Sequence, residues 1–236
     1  MLLEENDITP EGDTMAKVFL SAGHGGSDPG AVGNGLYEET INLNTLLACQ
    51  AELVRHGVTV VCSRTTDVDD PVQEEVKEAN ASGADIAVSF HANAGGGDGF
   101  EVFYHSSSAA GKYLAKLCEK YVKELGQNSR GLKHGDRLYF VRGTKKTAVL
   151  VESFFVDNAK DKTIGDTVAE QKAFGVAYAK AILEYLSITY KAKNSVVTSD
   201  NKLYRVQVGA YKDKTNAENM QKKLKAAGYE AIVVTE

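Results

Sequence analysis

Apolar positions along this chain fall into two alternating rhythms. The first is a set of short apolar runs: Lys17-Val18-Phe19-Leu20, Val58-Thr59-Val60-Val61, Asp85-Ile86-Ala87-Val88-Ser89-Phe90, Phe100-Glu101-Val102-Phe103-Tyr104 and Ala148-Val149-Leu150-Val151. Compact β-branched runs of this kind are the mark of buried parallel strands. The second rhythm is helical. Leu43, Leu46, Leu47, Ala51 and Val54 recur at helical spacing and stop at Gly57. Leu114, Leu117, Cys118, Tyr121, Val122 and Leu125 form a second stripe, and Phe174, Tyr178, Ala181, Ile182 and Tyr185 a third. Strands alternating with helices predict an α/β protein with an open, mostly parallel, twisted sheet and helices on both faces. In such sheets a functional site lies where strands give way to loops.

The ends of the chain break these rhythms. Residues 1–14 are acidic and aperiodic, and a second methionine, Met15, precedes the first strand run. They read as a flexible leader or an upstream start, and residues 15–186 as the main domain. A polar linker, 187–201, leads into residues 202–236. There Tyr204, Val206 and Val208 alternate as a strand, Asn216–Ala227 follow as a helix and Ala231–Val234 as a second strand. This is a small C-terminal βαβ unit, too small to make a good core alone.

Composition narrows the classes. Apolar residues at 43% and charged residues at 25% are ordinary for a globular protein. A formal charge of −5 without a basic stripe argues against a nucleic-acid partner. No apolar run is long enough for a membrane span, and the N-terminus lacks a signal-peptide pattern, so synthesis in the cytoplasm is expected. Cys49, Cys62 and Cys118 are expected as free thiols rather than a disulfide framework.

Chemistry concentrates at three places near predicted strand ends. Ser21-Ala22-Gly23-His24-Gly25-Gly26-Ser27-Asp28-Pro29-Gly30 follows the first strand, and its glycines permit a sharp turn that holds His24 in a loop. Glu38 stands at the mouth of the first helix, and His91 ends the third strand run ahead of Gly95-Gly96-Gly97. Two imidazoles and a carboxylate suit a catalytic zinc with a fourth position for water; a solvated histidine in a plain glycine turn is the alternative. Glu152 follows the run Ala148–Val151, where a carboxylate costs desolvation unless it is paired or employed. Beside a metal it can move a proton between water and a leaving amine; otherwise it is a structural carboxylate in an ion pair. Asp28 and Asn93 suit the orientation of ligand histidines. His56 reads as a helix cap, His105 as a surface residue or substrate neighbour, and His134 as part of a loop, Arg130–Gly135, flanking a groove. Arg64 reads as a substrate contact or a partner of Asp67.

The segments GHGGSDPGAVGNGLYEETINLN, SFHANAGGGDGFEVFY and TAVLVESFFVDN resemble, in this order, the zinc-dependent N-acetylmuramoyl-L-alanine amidases of type 3 from bacteria and phages. The resemblance covers roughly residues 16–186. It implies zinc held by His24, Glu38 and His91, with Glu152 as the catalytic acid/base. Glu39 is adjacent to Glu38, and the family spacing GL-x-E, counted from Gly35, selects Glu38. The tail LYRVQVGAYKDKTNAENMQKKLKAAGYEAIVV resembles half of a SPOR domain, a module that binds peptidoglycan. The missing half is expected from a second copy, which would make a homodimer, or from docking on the main domain. These resemblances imply a peptidoglycan hydrolase that acts on the wall after release from the cytoplasm, either as a phage endolysin or in mother-cell lysis. A different zinc hydrolase of the wall, peptidase or deacetylase, and a non-catalytic wall-binding protein are the rival readings.

Overall fold

The computed structural model describes residues 16–192, 208–226, 228–229 and 231–234. In chain order it contains β1 (Lys17–Ala22), a hairpin of β2 (Val32–Gly33) and β3 (Leu36–Tyr37), α1 (Glu38–Arg55), β4 (Thr59–Cys62) and α2 (Val72–Ala81). Then follow β5 (Ile86–Asn93), β6 (Phe100–Tyr104), α3 (Ala109–Lys123), β7 (Ser129–His134), α4 (Tyr139–Gly143), β8 (Thr147–Phe155), α5 (Ala159–Gly165) and α6 (Val168–Tyr185). The sheet order is β4-β1-β5-β8-β6-β7. The first four run parallel, β6 is antiparallel to β8, and β7 is parallel to β6. The mostly parallel sheet with helices on both faces is the architecture expected from the alternating rhythms.

The two faces are covered unequally. Val18, Leu20 and Ala22 of β1, Val88 and Phe90 of β5, and Val149 and Val151 of β8 are all fully buried in one large cluster with side chains of α1, α3 and α6. On the opposite face a smaller cluster joins Phe19, Ala87 and Ala148 to Val76 and Ala79 of α2 and Phe140 of α4. Period-2 alternation makes this division, since successive strand residues point to opposite faces. Cys49 and Cys118 are buried in the large cluster, and all three cysteines are free.

The segment expected to be a loop at Arg130–Gly135 is instead the edge strand β7. An edge strand needs no apolar alternation, and here only Leu132 packs against the core. The helices α2, α4 and α5 also lie outside the three sequence stripes, because each is short and buries few apolar side chains.

The chain divides into two compact units, Met1–Lys191 and Ala192–Glu236. The first reaches Lys191 because Tyr190 stacks on His56 at 5.1 Å and the Lys191 amide donates to His56 Nε2 at 2.8 Å. The second contains α7 (Lys214–Ala226). The strand read at Tyr204–Val208 lies outside the described residues except for Val208, as do the leader and most of the linker. Residues 231–234 show no assigned strand among the described residues. Among the described residues no helix is long and apolar enough to cross a membrane.

Candidate metal centre

The thinly covered face changes character rung by rung. Its first rung is Phe19, Ala87 and Ala148, under α2 and α4; its second is Ser21, Ser89 and Leu150; its third holds His91 and Glu152. His91 and Glu152 are direct neighbours in the β5–β8 register, and Glu101 of β6 is the next neighbour of Glu152. His91 and Glu152, expected at strand ends, both lie inside their strands. β5 runs on to Asn93 through an irregularity in the pairing, and β8 runs on to Phe155. A polar residue on an open sheet face interrupts the apolar run without interrupting the ladder.

His24 sits in the loop after β1, in the left-handed region with φ 65°. Its Nδ1 pairs with Asp28 Oδ2 at 2.8 Å, which leaves Nε2 to face Glu38 Oε1 at 3.3 Å. Glu38 is buried at the first turn of α1, and its Oε2 accepts from the Ala31 amide at 2.7 Å. Its Oε1 also meets His91 Nδ1 at 2.9 Å and accepts from the Ala92 amide at 3.2 Å. Donor atoms of His24, Glu38 and His91 all lie within 4.8 Å of one another. Glu39 is outside this cluster; its carbonyl accepts from Arg64 instead.

Two glycines make room for the cluster. A Cβ on Gly23 would run into the His91 ring, and one on Gly30 would crowd Glu38 Oε2 and the His24 ring. Arg64 holds the loop in place. Buried rather than facing solvent, it donates to the carbonyls of Ala22 at 2.9 Å, Gly23 at 3.3 Å, Glu39 at 2.8 Å and Thr66 at 3.2 Å. Asp67, the partner expected for it, accepts instead from the Gly26 amide at 2.7 Å.

The electrostatics suit a cation. Burial alone would push the Glu38 carboxyl up, but hydrogen bonds from His24 and His91 win and hold it well below the usual carboxylate range. The hydrogen bond to Glu38 raises His24 to about 9 against the opposing effect of burial. Burial lowers His91, yet the Glu38 contact brings it above its ordinary value. Two imidazoles drawn toward one buried carboxylate, each raised above its ordinary value by it, mark a place where positive charge is favoured. The donor set is that of a three-ligand zinc site.

Glu152 has a different environment. Its Oε2 is buried without a partner among the described residues. Burial raises its carboxyl to about 7, with Glu38 and Glu101 adding to the rise and His91 opposing it. Glu101 binds Arg130 Nε at 2.8 Å and Asn93 Nδ2 at 3.3 Å. Asn93 therefore serves Glu101 and not a ligand histidine, whereas Asp28 does orient His24. His56 caps α1 through Nδ1 to the Glu52 carbonyl at 2.7 Å. His105 is half-buried, 3.6 Å from Asp136, and His134 is exposed at the end of β7 with its ring edge-on to Tyr104. Sequence reasoning gives Glu101 no role and reaches Arg130 only as the start of a groove-flanking loop. Their only signal is a polar residue inside an apolar run and an arginine beside a glycine, neither of which says that β6 lies beside β8.

Fold and site together define an α/β protein with a His–Glu–His metal-type cluster beside a carboxylate held near neutrality. A family model described as N-acetylmuramoyl-L-alanine amidase matches residues 18–184, and the chain belongs to that family. A second model, the SPOR domain, matches residues 175–235. The sporulation-specific N-acetylmuramoyl-L-alanine amidase of Bacillus subtilis (strain 168) is 33% identical over 224 residues, 93% of this chain and 85% of that protein. The endolysin of Bacillus phage SPP1 is 36% identical over 201 residues, 78% of this chain and 71% of that protein. The solved catalytic domain of CwlV, an N-acetylmuramoyl-L-alanine amidase from Bacillus (Paenibacillus) polymyxa var. colistinus, superposes with a TM-score of 0.69 at 32% identity. The match covers 74% of this chain and all of that one.

Proposed function

We propose that the chain hydrolyses the amide between N-acetylmuramic acid and L-alanine in peptidoglycan, with zinc held by His24, Glu38 and His91 and with Glu152 as acid/base. The observation that carries this reading is the placement of Glu152. It neighbours His91 across the ladder, with a buried oxygen that has no partner among the described residues and a carboxyl raised to about 7. Such a group exchanges a proton readily at neutral pH.

Zinc bound there would supply a Lewis acid that polarises the amide carbonyl and eases deprotonation of water. Glu152 takes the proton of the attacking water and then delivers it to the alanine nitrogen as the amide breaks. Asp28 keeps His24 oriented by occupying Nδ1, and the Ala31 and Ala92 amides fix the Glu38 carboxylate. No serine or cysteine nucleophile is needed. The SPOR match supports a peptidoglycan-binding role for the second unit. Relatives that are a sporulation amidase and a phage endolysin support action on the wall in cell lysis. Pairing of two copies through this unit finds no support in the comparisons and is not proposed.

The test is mass spectrometry of the products from purified peptidoglycan, with added zinc and with a chelator. Free stem peptides that begin at L-alanine and vanish with chelator are expected. Cuts inside the stem or released acetate would replace the amidase reading by another zinc hydrolase, and binding without any cut would leave a wall-binding protein.

A further inference from the structure

Beyond Glu152 the reactive row continues into charge that the hydrolytic step does not use. Glu101 is its neighbour on β6, and Arg130 and Lys133 of the edge strand β7 flank Glu101 with Nε at 2.8 Å and Nζ at 3.9 Å. Arg130 is fixed twice, by that ion pair and by its guanidinium lying 5.2 Å over the Phe155 ring. No described residue accepts from its terminal nitrogens. Both basic side chains are about two-fifths exposed, while Glu101 is nearly buried. Two cations meet one carboxylate at contact distance, with Asp98 and Asp161 acting on Arg130 from farther off. A guanidinium held in place this way loses little freedom on gripping a planar anion.

The direction of the reaction says what reaches it. The acid must stand beside the leaving nitrogen, so the released peptide begins at Glu152. The histidine–glutamate cluster occupies the β1 and β5 side, which leaves the β6 and β7 side for the rest of that peptide. Strands about 4.8 Å apart place the Arg130 backbone about 10 Å from that of Glu152, while its Nε reaches back to Glu101, one strand or about 5 Å from Glu152. An extended peptide covers about 3.4 Å per residue, so the groups arriving there belong to the second and third residues after the cut.

We propose that Arg130, assisted by Lys133, is a specificity-determining residue that binds a carboxylate carried by the second or third residue of the stem peptide. This rests on the amidase reading of the site. The experiment uses the full chain with zinc and two synthetic muramoyl tripeptides that begin with L-alanine. In one, the second and third residues bear free carboxylates; in the other, the same groups are primary amides. Wild type is expected to show a kcat/KM about tenfold higher on the free acid, mostly through KM. Arg130→Gln should erase that preference by lowering kcat/KM on the free acid far more than on the amide compound, Arg130→Lys should restore part of it, and Lys133→Gln should reduce it. The preference should also shrink with added salt. Equal rates of wild type on both compounds overturn the proposal, as does an Arg130→Gln variant of wild-type melting temperature that loses the same factor on each. If wild type cleaves neither compound and does not cut whole peptidoglycan, the amidase reading itself fails.

Discussion

One carboxyl oxygen of Glu152 is buried without a described partner, and burial holds the group at about 7. As general base it must be ionised, so kcat/KM should rise with pH along a limb centred at or below about 7, because a bound cation favours the carboxylate. The same shift makes a stability statement. A carboxyl raised in the folded state binds its proton more tightly there than in the unfolded chain, so stability falls as pH rises from the ordinary glutamate value through about 7. Glu152→Gln should lower kcat by about 10²–10⁴-fold and, in chelator above pH 7, melt at a higher temperature than wild type. A Gln variant that keeps its rate, or that melts lower, contradicts the role given to this side chain. His24, Glu38, His91 and Glu152 stood out in the sequence because glycines or apolar runs border them. Glu101 and Arg130 did not, since their importance comes from a strand order that local composition does not encode.

Among the elements, the long apolar ones were legible and the short or peripheral ones were not. β1, β5 and β8 announce themselves by runs whose alternate members fill the two clusters. The edge strand β7 has no such run, and α2 presents little more than Val76 and Ala79 to the core. Close helix packing escapes composition in another way. Gly175 of α6 lies so near α1 that a methyl group there would meet the Thr45 carbonyl and the Ala48 side chain. Helix propensity favours alanine over glycine by about 1 kcal/mol. Overpacking costs about 1–3 kcal/mol and should prevail, so Gly175→Ala is expected to lower the urea midpoint. A higher midpoint would mean that α1 and α6 can part without penalty.

For the molecule as a whole, the first unit carries the sheet, the large cluster and every residue of the candidate centre, and it ends at Lys191 against His56. A chain stopped after Lys191 is therefore expected to unfold cooperatively and to hydrolyse a soluble muramoyl peptide at a rate near that of the full chain. Its co-sedimentation with insoluble peptidoglycan should weaken. Undiminished sedimentation would remove the wall-binding role from the second unit.

The reactive row crosses the sheet instead of following one strand, with His91 on β5, Glu152 on β8 and Glu101 on β6. A slip of one residue in β5 or β8 turns its polar group into the apolar cluster and an apolar one outward. Misregistered molecules are then inert rather than feeble. Catalytic output in a refolded preparation accordingly counts native chains, and a low specific activity signals a mixture of perfect and dead copies rather than a uniformly weakened population.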